Sequence, residues 1–64
     1  MELENLINAT KLAYDALSDF IQADRDYEDA TDNLILTDEE FNAIVHTRRI
    51  LSKYYRQLSK LTNQ

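Results

Sequence analysis

The chain has 64 residues, with 12 Asp and Glu against 7 Lys and Arg, and it contains no Cys, Gly or Pro. This length allows a single domain, 1–64, and the lack of Cys excludes disulfides and thiolate metal sites. The lack of Gly and Pro argues against glycine-rich phosphate loops and tight hairpin turns, and it favours long uninterrupted helices. We therefore expect an all-α fold.

The first predicted helix covers about residues 2–30. From Leu6 onward, apolar or small residues recur at alternating intervals of four and three, which is the spacing of a helix face that packs on another helix. The predicted seam of this helix consists of Leu6, Thr10, Ala13, Leu17, Phe20, Asp24, Tyr27 and Thr31.

A strong local start signal precedes the second predicted helix. Thr37 is a good N-cap residue, and Glu40 three positions later completes a capping box. Leu36 and Phe41 flank the cap at the spacing of a hydrophobic staple. The sequence thus predicts a bend at about 31–37.

From this start the second helix is predicted to run over about 38–62. Its seam repeats by threes and fours through Phe41, Ile44, Arg48, Leu51, Tyr55, Leu58 and Thr62. Two helices joined by a short connection fold back on each other, so we expect a two-helix antiparallel hairpin.

A second set of apolar residues does not fit into one helix–helix seam. We expect these residues to form an interface at which two hairpins associate as a homodimeric four-helix bundle, because large exposed apolar patches usually mark a partner surface. The predicted partner or dimer contacts are Ile7, Tyr14, Ile21, Ile50, Tyr54 and Leu61.

The charges are unevenly distributed along the chain. Residues 24–40 hold eight acids and one base, whereas residues 41–64 hold five bases and no acid. Asp26, Asp29 and Asp32 form a predicted acidic docking pole at the bend. In the second helix four bases lie on one stripe, which is an alternative surface for nucleic acid: Arg49, Lys53, Arg56 and Lys60.

The segment DATDNLILTDEE, residues 29–40, resembles the calcium loop of an EF-hand. Asp29, Thr31, Asn33 and Glu40 would occupy positions 1, 3, 5 and 12 of that loop. Leu34 stands where the loop normally has Gly. The resemblance implies a degenerate, calcium-responsive hairpin, while the capping box explains the same residues as a bend without an ion.

Two further features bear on the chemistry of the chain. His46 is the single His, and the Glu three residues earlier that a di-metal bundle site needs is absent. We predict no metal, no cofactor and no catalytic residue. Asp24 and Arg48 interrupt the two seams. They either pair inside the hairpin or extend their charged groups to water.

These observations favour a non-enzymatic, acidic protein–protein interaction module that self-associates and docks on another protein. A regulator or inhibitor, encoded by a phage or mobile element, is the context that we expect. The sequence has no membrane-length apolar run and no basic segment followed by an apolar stretch, so we expect a cytoplasmic protein. Nucleic-acid binding and calcium response are the alternatives.

Overall fold

The chain folds into two long helices joined by a short bend. The structure, a computed structural model, describes residues 2–62. Helix α1 spans Glu2–Thr31, helix α2 spans Asp38–Thr62, and the two helices pack against each other, which confirms the predicted all-α hairpin. The hairpin measures 49 × 17 × 14 Å. Within the described residues, neither helix is both long enough and apolar enough to cross a bilayer.

Helix α1 ends without a glycine. Asp32 adopts a left-handed conformation with φ of 57°, and its N–H donates to the carbonyl oxygen of Glu28 at 2.7 Å. This is the αL type of helix C-cap, and Asp is one of the few residues that tolerate it. The Thr31 hydroxyl donates to the carbonyl oxygen of Tyr27 at 2.7 Å and accepts from the N–H of Asn33 at 3.3 Å. These bonds turn the chain away from α1.

Helix α2 begins with the predicted capping box. The N–H of Glu40 donates to the Thr37 hydroxyl at 3.1 Å, and the N–H of Thr37 donates to the Glu40 carboxylate at 3.0 Å. The hydrogen bond that the Thr37 backbone N–H donates to the carboxylate lowers the pKa of Glu40, and the side chain of Thr37 lowers it further. Leu36 and Phe41 are both half-buried in one depression beside the bend, as expected of a hydrophobic staple.

The seam of α2 follows the predicted pattern over most of its length. Leu58 is buried, and the other residues of the repeat are half-buried, with the exception of Thr62, which is exposed. The half-buried seam residues are Phe41, Ile44, Arg48, Leu51 and Tyr55. Helix α2 therefore faces α1 with a continuous row of mostly apolar side chains.

The predicted seam of α1 is wrong in its rotation about the helix axis. Leu6, Phe20 and Tyr27, which were expected at the seam, are each more than two-fifths exposed. The observed seam repeats by fours and threes through Leu3, Ile7, Thr10, Tyr14, Leu17, Ile21 and Asp24. The prediction shares three of these positions, Thr10, Leu17 and Asp24. The error arose because α1 carries two neighbouring apolar stripes with the same heptad spacing, and the predicted seam combined residues of both, whereas α2 packs on only one of them.

The core between the helices is thin. Ile21 and Leu58 are the apolar residues that are almost fully buried among residues 2–62, at 4% and 5% exposure. Thr10 is equally buried, and its hydroxyl donates to the carbonyl oxygen of Leu6 at 2.7 Å. Full burial of one such apolar side chain contributes about 1.5–3 kcal/mol. A core of this size rarely supplies more than ~3–5 kcal/mol, so a second source of stability is expected.

The two charged residues of the seams lie at different levels of the hairpin. The guanidinium of Arg48 lies over the ring of Tyr14, 6.0 Å from its centroid. Asp24 borders the depression beside the bend, near Phe41. Ten residues separate Tyr14 from Asp24, which is about 15 Å along a helix axis. The seam thus accommodates Arg48 against an aromatic ring and Asp24 near the solvent at the bend.

Candidate interaction surface

Each helix carries a second apolar stripe beside its seam. Every residue of this outer stripe except Tyr27 directly precedes a seam residue, as Phe20 precedes Ile21 and Ile50 precedes Leu51. One step back along an α-helix is a rotation of about 100° about its axis, since a turn takes 3.6 residues. The outer stripe therefore lies on the flank of the hairpin rather than between the helices.

The two outer stripes lie on the same side of the hairpin. The helices run antiparallel, so the same backward rotation on each helix points both stripes toward one broad face. We call this the uncharged face. Its residues, all exposed, are Leu6, Ala9, Ala13, Ala16, Phe20, Ala23 and Tyr27 of α1, with Ala43, Thr47, Ile50, Tyr54, Gln57 and Leu61 of α2. No Asp, Glu, Lys or Arg is among them.

The uncharged face exposes much of its apolar surface to water. Phe20 is 46% exposed, Ile50 is 53% exposed and Leu61 is 56% exposed. The broad side of the hairpin, 49 Å long and 17 Å wide, has the dimensions of a standard protein interface, which buries about 800 Å² on each partner. The large side chains are separated by alanines, which allow another helix to approach closely.

The opposite broad side of the hairpin is polar, and we call it the charged face. Its residues directly follow seam residues: Glu4, Asn8, Lys11, Asp15, Ser18, Gln22 and Arg25 of α1, with Asn42, Val45, Arg49, Ser52, Arg56 and Ser59 of α2. A shallow groove on this side is lined by Lys11, Tyr14, Asp15, Ser52 and Tyr55. The two faces thus differ in charge over the whole length of the hairpin.

The six predicted contact residues fall into two groups. Ile50, Tyr54 and Leu61 lie on the uncharged face and are exposed. Ile7, Tyr14 and Ile21 lie in the seam, where Ile21 is buried and the other two are half-buried. The structure therefore brings the α2 residues onto an open surface and places the α1 residues inside the hairpin.

Sequence reasoning missed the α1 half of the uncharged face. Leu6, Phe20 and Tyr27 had been assigned to the seam, although they form a heptad stripe that meets the α2 residues on one side. A usable signal was present in the sequence, because the stripe that contains them carries no charge between Leu6 and Ala30. The observed seam, in contrast, contains Asp24.

The acidic pole at the bend is exposed. Asp26 accepts a hydrogen bond from the Gln22 amide at 3.0 Å, and Asp29 lies in the last turn of α1. Asp32 is the left-handed residue that ends the helix. Acidic residues at a helix C-terminus oppose the helix dipole, and the last turn of α1 has no basic residue. The pole therefore carries negative charge that the helix itself does not favour.

The basic stripe of α2 lies outside the uncharged face. Arg49, Lys53, Arg56 and Lys60 are all exposed, on the charged face or at the outer edge of α2. His46 is also exposed at this outer edge. A partner that covered the uncharged face would leave these side chains in contact with solvent.

The DATDNLILTDEE segment has the geometry of a capped bend. Asp29 and Thr31, positions 1 and 3 of the calcium-loop alignment, belong to the last turn of α1. The Thr31 hydroxyl is bonded to Tyr27, and the Glu40 carboxylate is bonded to Thr37. Within residues 2–62, no group of three or more His, Cys, Asp or Glu side chains has the arrangement of a metal site.

Comparison with known proteins gives no match: no protein-family model, no curated protein and no solved structure is significantly similar to the chain. The features of the molecule that bear on its function are the uncharged face, the charged face and the bend.

Proposed function

We propose that the chain is a non-enzymatic interaction module that self-associates through the uncharged face to form a four-helix bundle. The observation that carries this proposal is the face itself, a broad side of the hairpin on which large apolar residues are exposed and charges are absent. Two such faces in contact would exclude water from both without burying a charged group. Removal of apolar surface from water is the main driving force of protein association.

The thin seam supports the same proposal. A chain of 64 residues without Cys cannot add a disulfide to its small core. Oligomerisation is the remaining common means of stabilising so small a fold, and it couples folding to protein concentration. In the proposed dimer, Leu6, Phe20 and Tyr27 replace Ile7, Tyr14 and Ile21 as the α1 contacts, because the latter three already pack within the hairpin.

The experiment pairs two substitutions of apolar residues on α1. Phe20→Asp places a carboxylate in the uncharged face, whereas Leu12→Asp places one at the outer edge of α1, where Leu12 is 69% exposed. Burial of an unpaired charge at an interface costs about 3–5 kcal/mol. We expect Phe20→Asp to raise the dimer dissociation constant at least ~100-fold in sedimentation velocity. Leu12→Asp should leave it within about threefold of the unmodified chain, since an outer surface change has little effect.

Equal sedimentation of both variants and the unmodified chain as monomers at all concentrations would refute the proposed self-association. Equal weakening by the two substitutions would show that the association does not use the uncharged face. The two substitutions introduce the same side chain on the same helix, so their difference isolates the face.

We further propose that the module acts as a regulator or inhibitor that docks on another protein through the acidic pole, Asp26, Asp29 and Asp32. These residues lie away from the uncharged face and stay accessible in the proposed dimer. Acidic side chains at a helix C-terminus gain most from a cationic partner, because the dipole already disfavours them there. Replacement of all three by Asn should abolish capture of the basic partner while leaving the dimer intact.

A second candidate function is nucleic-acid binding by the basic stripe of α2. The observation that favours it is the exposure of Arg49, Lys53, Arg56 and Lys60 outside the uncharged face. Contacts of such residues with phosphates weaken steeply with salt. If this function holds, double-stranded RNA or DNA will be retained at about 50 mM salt and released near 200 mM. Arg49→Glu with Lys53→Glu will abolish retention, and the control Lys11→Glu on α1 will not.

A further inference from the structure

From the layout of charge along the hairpin we infer that the partner of the uncharged face is a second copy of this chain. The bend of this second copy lies at the opposite end of the bundle. The inference rests on the proposed self-association and adds its geometry. In this arrangement α1 packs on the α1 of the partner and α2 packs on the α2 of the partner. The acidic bend of each copy then lies beside the basic open end of the other.

The two halves of the hairpin carry opposite charge. The half at the bend, residues 17–50, holds nine acids and three bases. The open half, residues 2–16 and 51–62, holds four bases and three acids. The guanidinium of Arg25 is already held over the ring of Phe41 at 5.6 Å. The bend half is thus strongly negative, and the open half has a small positive excess.

A dimer with both bends at one end would place the two negative halves side by side. The hairpins are 14–17 Å across, so acidic groups of the two bends would lie within about two Debye lengths of each other, since one Debye length is about 8 Å at physiological salt. Their mutual repulsion is therefore partly screened at physiological salt and largest at low salt. The opposed arrangement separates the two bends by the length of the bundle. It also places each acidic bend at the same end of the bundle as the open half of the partner, where bases outnumber acids, so the layout of charge favours it.

The charges of α2 alone lead to the same choice. Its first turn contains Asp38, Glu39 and Glu40, and its last turn contains Lys60. Because α2 packs on the α2 of the partner in the opposed arrangement, the acidic start of each lies near the basic end of the other. In the same-end arrangement α2 would instead pack on α1 of the partner, with the acidic start of α2 near the acidic end of α1.

The side chains of the uncharged face are compatible with the opposed arrangement. On α1 the large residues lie toward the ends of the stripe, with Leu6 at one end and Phe20 and Tyr27 at the other. Reversal about a two-fold axis near Ala16 brings Tyr27 of one copy over the Leu6 end of the other. Alanines then meet near the axis, where the helices approach most closely.

The arrangement also offers cover for exposed residues of the bend. Leu34 and Ile35 are each 69% exposed, and they lie at the same end of the hairpin as Tyr27. Leu61 lies at the open end of α2. In the opposed dimer the Leu61 end of one copy reaches the bend of the other, so apolar residues at both ends of the bundle gain neighbours.

A distance measurement between spin labels tests the orientation. The chain has no Cys, so Asn33→Cys accepts one nitroxide at the bend of each copy. Pulsed dipolar spectroscopy should give a label–label distance approaching the 49 Å length of the hairpin. A distance comparable with the 14–17 Å width of the hairpin would overturn the inference, because it would place both bends at one end.

A control label separates failure of the orientation from failure of the dimer. Asp15→Cys lies near mid-length on the charged face, so two copies in either orientation bring these labels within the range of the method. A short distance between bend labels together with coupling between Asp15→Cys labels would leave the dimer standing and overturn the orientation alone. No coupling from either label, with monomers in sedimentation, would refute both the proposed self-association and the orientation.

Discussion

The two apolar stripes of α1 have the same spacing and opposite environments. Ile21 belongs to the seam stripe and is 4% exposed, whereas its neighbour Phe20 belongs to the uncharged face and is 46% exposed. The seam stripe includes the polar Thr10 and Asp24, while the face stripe has no charged residue from Leu6 to Ala30. The stripe without charged residues is thus the one left open to water. This comparison supports the proposal that the exposed stripe is an interface.

The largest expected effect comes from placing the same charge in each stripe. Ile21→Asp buries an unpaired carboxylate within the hairpin, which costs about 3–5 kcal/mol, as much as the seam is expected to supply. We expect no cooperative melting transition for Ile21→Asp in circular dichroism. Phe20→Asp should keep a transition with a lower midpoint that no longer depends on protein concentration. If the two variants melt alike, the distinction between the stripes fails.

Substitution of one Leu by Ala in each stripe of α2 makes the same comparison with a smaller perturbation. Leu58 is in the seam at 5% exposure, and Leu61 lies on the uncharged face. Leu58→Ala should cost about 2–5 kcal/mol of folding free energy in urea denaturation. Leu61→Ala should cost less than ~1 kcal/mol at a concentration where the chain is monomeric. It should also weaken association several-fold. A larger folding cost for Leu61→Ala would reverse the assignment of the two stripes.

The cap of α2 should affect folding without touching either stripe. Thr37→Ala removes the hydroxyl that accepts the N–H of Glu40, and loss of such a cap costs about 1 kcal/mol. Thr37→Ser retains the hydroxyl and serves as the control. We expect thermal denaturation to show this loss of stability for Thr37→Ala and not for Thr37→Ser. An undiminished stability would mean that the bend is held by Leu36 and Phe41 rather than by the capping box.

The pH dependence of stability should report the same cap. The folded-state pKa of Glu40 lies below its ordinary value of 4.5, because Thr37 donates to the carboxylate. Such a group stabilises the fold above the unfolded pKa, and its contribution disappears as the pH falls through the folded pKa. Glu40→Gln should therefore flatten the stability profile below about pH 4.5, compared with the unmodified chain. Identical profiles for the two proteins would contradict this role of Glu40.

The smallest expected effect lies at the acidic end of α1. Asp29 stands in the last helical turn, where negative charge opposes the helix dipole. Asp29→Asn should stabilise the hairpin by a few tenths of a kcal/mol at low ionic strength. Asp15→Asn, in the middle of the same helix, is the control and should show no such gain. A loss of stability for Asp29→Asn would indicate that this carboxylate has a favourable partner.

The sequence was sufficient for the hairpin and for the seam of α2, but not for the seam of α1. In α2 the seam holds Phe41, Leu51 and Leu58, while half of the neighbouring stripe consists of small or polar residues, namely Ala43, Thr47 and Gln57. The two stripes differ in size and polarity, so periodicity identifies the buried one. In α1 both stripes are apolar at heptad spacing. Which of the two stripes is buried depends on the side of α1 on which the bend places α2. Local sequence patterns do not specify that side.

The bend itself was predicted in one part and not in the other. Thr37 and Glu40 form a recognisable motif whose hydrogen bonds are local, so the start of α2 could be placed from sequence. Helix α1 ends at Asp32, which adopts a left-handed conformation, and Gly is the residue that usually occupies this position after a helix. The uncharged face of α1 follows from which stripe α2 covers, and the lack of charge along that stripe is the sequence signal that points to it.

Sedimentation equilibrium of the unmodified chain over a dilution series is the most direct test of the proposed self-association. We expect the mass of two chains at high concentration, falling toward that of one chain on dilution. A fully helical chain that sediments as one copy throughout the micromolar range would contradict it. That result would mean that the uncharged face stays exposed to water in a stable folded monomer.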